Sequence, residues 1–160
     1  MSMSSFSRIL DVLTKHHVEF IVVGGVAAVL HGAPVTTFDL DALIRVEETN
    51  ADRLLAALVE LDARLREHQS ILRPTRHDIL AGGHLLLLTN AGPLDVLGYI
   101  GRHSRYDDLR RETTRLEIDG REVEVLSLDE LIRQKRALGR DKDQPALRLL
   151  EEVARRRPKP

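Results

Sequence analysis

The sequence predicts an α/β (α+β) domain, a mixed β-sheet flanked by helices. Three observations carry that expectation. Residues 18–23 (VEFIVV) form a β-branched apolar run, too short for a helix and long enough for a buried strand, stopping at Gly24-Gly25. Stretches with helical spacing alternate with short apolar runs along the chain, the pattern of domains that layer helices on a sheet. Residues 114–118 and 122–126 alternate in polarity around Asp119-Gly120, which marks a hairpin.

The elements follow in order. Residues 6–17 place Phe6, Ile9, Leu10 and Leu13 at helical spacing, and the strand 18–23 comes next. Residues 26–31 read as a short helix ended by Gly32, with Pro34 just beyond, and residues 38–46 as a second strand. Residues 50–65 form an amphipathic helix with Leu54, Leu55, Leu58 and Leu61 on one stripe, capped by Asn50 or Thr49. Residues 66–82 are polar and irregular. Strands 84–89 and 94–100 are joined by the turn signal Asn90-Ala91-Gly92-Pro93. Ser127-Leu128-Asp129-Glu130 is a capping box opening a helix to about Leu138, and a last helix runs from about Gln144 to Arg156. The expected unit is one domain over residues 1–157, with a core at about 5–100 and the C-terminal hairpin and helices at about 112–157.

Composition narrows the function. Of 160 residues, 42% are hydrophobic and 31% charged, enough apolar material for a core and too much for a disordered tail. Cys is absent, which removes disulfides, thiolate zinc sites and cysteine nucleophiles together. Aromatics are 3% and Trp is absent, against a base-stacking platform. The formal net charge of -1 is not that of a protein holding nucleic acid by charge alone. No apolar run reaches membrane-spanning length, and residues 1–7 lack the features of a signal peptide, so a cytoplasmic location is expected. The seven His show no metal-ligand spacing.

Two carboxylates on a strand like 38–46 are costly unless something pairs with them. Asp39 and Asp41 sit there, and side chains at i and i+2 project from one face, so they converge while Leu40 enters the core. Asp95, between Leu94 and Val96, has the same anomaly. Three acids on neighbouring strands make an oxygen-only site suited to Mg²⁺. Gly24-Gly25 ends a strand and opens a short helix, so its backbone N–H groups can face a phosphate; a plain tight turn is the plainer reading. Asp141-x-Asp143 reads as a solvated helix start, and the cluster Arg102-His103, Arg105, Arg110 and Arg111 as a solvated loop or, alternatively, an RNA- or phosphate-binding rim.

The stretch 21–27 (IVVGGVA), through His31-Gly32-Ala33-Pro34 to Thr37-Phe38-Asp39-Leu40-Asp41, resembles the nucleotidyltransferase superfamily and, within it, the small bacterial AbiEii-like members, many of them associated with toxin–antitoxin systems. Asp95 matches the third carboxylate strand, and residues 128–143 (LDELIRQKRALGRDKD) are similar to the C-terminal stretch, with Lys135, Arg140, Lys142 and Asp143 on its basic and acidic places. The resemblance covers residues 18–46, 84–100 and 127–150. It implies a mixed sheet flanked by helices, an NTP donor and a divalent metal, Mg²⁺ or Mn²⁺.

One position departs from the family. Val35 stands where an Arg is usual, which leaves open weaker NTP binding, another cation filling in, or lost turnover. His31, Lys135 and Arg140 are the candidate substitutes; a helix-end role for His31, and pairing of Lys135 with Glu130 or Asp129, compete with that. On the resemblance, Asp39 and Asp41 hold metals bridging the triphosphate, Asp95 completes the metal site and acts partly as general base, and Gly24 and Gly25 meet the phosphates. The acceptor is open among RNA, a small molecule and a protein. The alternative function is a catalytically idle antitoxin or regulatory module that binds a partner protein; a glycosyltransferase Asp-x-Asp site ranks behind both.

Overall fold

The computed structural model describes residues 3–158; Met1, Ser2, Lys159 and Pro160 of the expected domain and tail lie outside them. The chain runs α1 (Met3–Lys15), β1 (Phe20–Val23), α2 (Gly24–Leu30), β2 (Leu40–Ile44), α3 (Glu48–Glu60), β3 (Arg64–Leu65), α4 (Arg76–Leu80), β4 (His84–Thr89), β5 (Gly92–Leu97), α5 (Tyr106–Leu109), β6 (Thr113–Ile118), β7 (Arg121–Leu126), α6 (Leu128–Leu138), a 3₁₀ turn (Asp141–Asp143) and α7 (Gln144–Arg156). Among the described residues, seven strands form one sheet in the order β3-β4-β5-β2-β1-β7-β6. Pairs β2–β5 and β1–β7 are parallel and the rest antiparallel, so the sheet is mixed, flanked by helices as expected.

Apolar spacing explains the layering. Phe6, Ile9, Leu10 and Leu13 put one face of α1 into the core, together with Leu54 and Leu58 of α3. All four residues of β1 are buried, as a continuous apolar run requires when a strand is covered on both faces. Among the remaining helices, α2 packs against α6, and α6 against α7.

Several boundaries differ from the sequence reading, each for a local reason. The strand expected at 38–46 begins only at Leu40, leaving Phe38 exposed at 67%. The cap of α3 is Glu47, whose side chain accepts from Asn50 N at 2.5 Å. Asn50 itself is buried as a clamp: its amide accepts from Glu19 N (2.7 Å) and donates to Glu19 O (3.0 Å) and Arg45 O (2.8 Å), joining the entry of β1 to the exit of β2. Ser127 caps α6 by accepting from Glu130 N, but Glu130 pairs with Arg133 and Gln134 instead of closing the box. Pro93 lies inside β5 opposite Leu88, with Gly92 at φ +113° taking the turn. The segment 66–82 is less irregular than its composition suggests, because α4 forms there on a Thr75–Asp78 capping box.

Candidate active site

Strand register builds the site. Val23 pairs with Asp41, Asp41 with Asp95, and Asp95 with Leu86, so one row crosses β1, β2, β5 and β4. Paired residues share a sheet face, which sets the Asp41 and Asp95 carboxyls side by side. Asp39, two residues before Asp41, precedes β2 at the same end of the sheet. Register thus pairs two of the three acids singled out in the sequence, Asp41 and Asp95, whereas Asp39, expected on the strand with Asp41, lies just before it.

A fourth residue joins them that sequence reasoning missed. Arg66 follows β3, its N–H donating to Leu86 O at 2.8 Å, so it extends the same row by one strand. Its Nη2 donates to Asp95 Oδ1 at 2.8 Å and to Leu87 O at 2.7 Å, and its Nη1 lies 3.8 Å from Asp39 Oδ2. Its Nε is buried with no hydrogen-bond partner among the described residues. The alternation Arg64-Leu65-Arg66 was the available signal for a short edge strand, but only the pairing with β4 aims Arg66 at the acids.

Asp41 is strongly perturbed. Burial pushes its carboxyl up to about 7, helped by the Asp95 charge, a hydrogen bond with Asp95 and the Asp39 charge, while Arg66 pulls the other way. Among the described residues, no group of three or more His, Asp or Glu side chains is gathered around a single ion position.

The glycines have different reasons for lacking a side chain. Gly24 starts α2 at φ +67°, and a Cβ there would collide with the Asp41 carboxylate. A Cβ on Gly25 would lie 2.6 Å from Thr37 Oγ1, so that side of Gly25 is covered by Thr37 and is not open space for a phosphate.

Beside Asp41 a cleft of about 160 Å³ runs between the end of β1 and α6, lined among others by Gly24, Asp41, Gln134, Lys135 and Arg140. Larger surface hollows lie beside α7 and hold none of the three carboxylates. Lys135 and Arg140 thus reach the site, but both are already paired. Lys135 Nζ is 3.6 Å from Asp143 Oδ1, and Arg140 Nε donates to Asp143 Oδ2 at 2.5 Å. Burial would raise the Asp143 carboxyl, but the Arg140 hydrogen bond and the Lys135 charge outweigh it and hold it below its usual range. This corrects two expectations. Asp143 is buried and paired, so Asp141-x-Asp143 is not simply a solvated helix start, and the partner of Lys135 is neither Glu130 nor Asp129.

His31, unlike Lys135 and Arg140, does not line this cleft. It is buried beside α7, with Nε2 2.8 Å from Leu126 O and Nδ1 2.6 Å from Arg157 Nη2. Val35 packs half-buried against the core. In the Arg102–Arg111 cluster, Arg102 donates to Ala137 O and Arg110 lies 3.6 Å from Asp107.

No family model matches the sequence, and no curated protein matches it. Solved structures do. An inferred nucleotidyltransferase from Thermotoga maritima, TM1012, matches with a TM-score of 0.60 at 20% identity, covering 96% of this chain and 93% of that one. The lincosamide antibiotic adenylyltransferase LnuA, in its lincomycin-bound form, matches with a TM-score of 0.64 at 12% identity over 96% and 98% of the two chains. The antibiotic-resistance factor ANT(2'')-Ia gives 0.59 at 17% identity over 94% and 86%. At these identities the likeness is one of architecture, and the chain has the nucleotidyltransferase-like fold of these proteins.

Proposed function

We propose that the protein is a nucleotidyltransferase that moves a nucleoside monophosphate from an NTP to a hydroxyl of an RNA, small-molecule or protein acceptor. The observation that carries this reading is the in-register pair Asp41–Asp95, with Asp39 upstream and Gly24 against the Asp41 carboxylate. The nucleotidyltransferase-like fold and the cleft holding Lys135 and Arg140 support it.

The donor chemistry suits Mg²⁺ or Mn²⁺: all three groups offer carboxylate oxygens, and although burial is the main cause that lifts Asp41, the Asp95 and Asp39 charges add to it, and a hard cation relieves that part. Asp39, Asp41 and Asp95 are the residues that would hold it, and when bound it would neutralise phosphate charge and favour an attacking alkoxide. Asp95 takes the proton of the acceptor hydroxyl. The acceptor oxygen then bonds to the α-phosphorus, and the bond to the bridging oxygen of pyrophosphate breaks, releasing it. Gly24 lets the backbone pass directly against the Asp41 carboxylate at the start of α2, whereas Gly25 packs against Thr37 and meets no phosphate on that side. Lys135 and Arg140 face the same cleft and supply cationic contacts to the triphosphate.

The second reading is an NTase-like antitoxin or regulatory module, within or outside the AbiEii-like branch, that binds a partner protein without turnover. Arg66 favours it, because a guanidinium already engages two of the three carboxylates. Incubation of the protein and Mg²⁺ with each α-labelled NTP, total RNA and lysate protein tests the first reading. Label transfer with pyrophosphate release, lost in Asp41→Asn, supports it. No transfer and no pyrophosphate from any NTP would leave the second.

A further inference from the structure

Arg66 is placed by its backbone and costs something to keep. Its main chain is tied to Leu86 of β4, and its side chain crosses toward β5 and β2, 24% exposed. There the guanidinium makes one close charge-assisted bond to Asp95, one bond to Leu87 O and a longer contact to Asp39 at 3.8 Å. The buried Nε–H has no acceptor among the described residues, and an unpaired buried donor is a penalty. Two carboxylates touch the guanidinium, and the third, Asp41, feels its charge. The arrangement ties Asp39 and Asp95 to the guanidinium.

Resting on the metal-dependent reading above, we infer that Arg66 is a resident counter-ion of the carboxylate cluster, which a divalent cation must displace from Asp95 and Asp39. A guanidinium and a divalent cation serve the same negative groups and repel each other, so each weakens the binding of the other. The displacement frees the Nε–H from its unpaired position, and the contact to Leu87 O need not survive it. Arg66 is therefore a positioning residue, one that keeps the cluster intact without metal and sets the metal concentration at which it loads.

The test uses the full chain and Mn²⁺ alone, with free Mn²⁺ followed by electron paramagnetic resonance. Arg66→Gln binds Mn²⁺ about 10-fold tighter or more than wild type, the scale on which neighbours of metal ligands act. Arg66→Lys, which keeps a charge but loses the planar fork, falls between them. In wild type, saturating Mg²⁺ moves the ¹⁵N side-chain Nε–H resonance of Arg66. Arg66→Gln melts lower than wild type without metal and gains more from Mg²⁺. Equal or weaker Mn²⁺ binding in Arg66→Gln overturns the inference while leaving the metal site standing. Should Arg66→Gln not fold, an Arg66 resonance unmoved by Mg²⁺ that wild type binds overturns it equally. If wild type and both variants bind no Mn²⁺, the metal-dependent reading itself fails, and this inference with it.

Discussion

Gly24 lies so close to the Asp41 carboxylate that no Cβ fits between them, and its φ of +67° is one that L-residues rarely adopt. The strand β1 therefore hands the chain to α2 directly over the central carboxylate of the site.

Gly24→Ala pays for both constraints. The left-handed conformation costs about 1–2 kcal/mol, and displacement of Asp41 adds to it. Urea unfolding should show a loss of roughly 2 kcal/mol or more. Adding Asp41→Ala should return part of that loss, because it removes the colliding group; strictly additive losses would mean that the two residues do not meet as described.

Asp41→Asn should stabilise the metal-free protein, and more so as pH rises. Because the folded-state pKa is raised from 3.8 to about 7, the folded chain holds this proton more tightly than the unfolded chain does. The wild type carries no penalty from Asp41 below about pH 3.8, accumulates it through the window up to about 7, and bears all of it above. The gain of the Asn variant at pH 8 should be on the order of 2–4 kcal/mol and should shrink toward pH 4. Chemical denaturation in chelator at several pH values checks this; a gain that does not change with pH contradicts it.

Lys135 and Arg140 share one acceptor, Asp143, at the rim of the cleft. Removing one cation leaves the other to hold Asp143, whereas removing both leaves a carboxylate buried at 8% exposure without these partners. The double variant Lys135→Ala/Arg140→Ala should lose more stability than the single losses summed, by roughly 0.5–3 kcal/mol. Each single variant should also weaken protection by NTP in a thermal-shift assay with Mg²⁺. Additive stability effects and unchanged protection would remove both residues from the site.

His31 should make the attachment of the chain end sensitive to acid. Leu126 O can only accept, so Nε2 carries the proton and Nδ1 accepts from Arg157. Burial lowers the His31 pKa below 6.5, opposed by the Leu126 bond and aided by the Arg157 charge. A lowered His pKa means that its contribution is intact above pH 6.5 and is lost as pH falls below that value through the folded pKa. Proton NMR titration should place His31 below 6.5 in wild type and nearer to it in Arg157→Ala. An unchanged value in the variant would show that the contact is not made in solution.

Local physics determined much of this protein from its sequence. Period-3.6 stripes placed α1 and α3, the β-branched run ending at Gly24 placed β1, and Ser127 marked where α6 starts. A carboxylate inside an apolar run was enough to single out Asp41 and Asp95, whereas Asp39, expected on the same strand, lies before β2 begins. None of these depends on a distant partner. What only the tertiary structure decided is who stands opposite whom. The parallel, in-register pairing of β2 with β5 makes Asp41 and Asp95 neighbours. The pairing of the two-residue β3 with β4 turns Arg66, from a segment with little pattern of its own, into their counter-ion. Asn50 is a buried clamp and not a cap for the same reason: its partner Glu19 comes from another element. Local periodicity tells which way a side chain points; strand order and register, fixed by burial of the whole sheet, tell what it meets there.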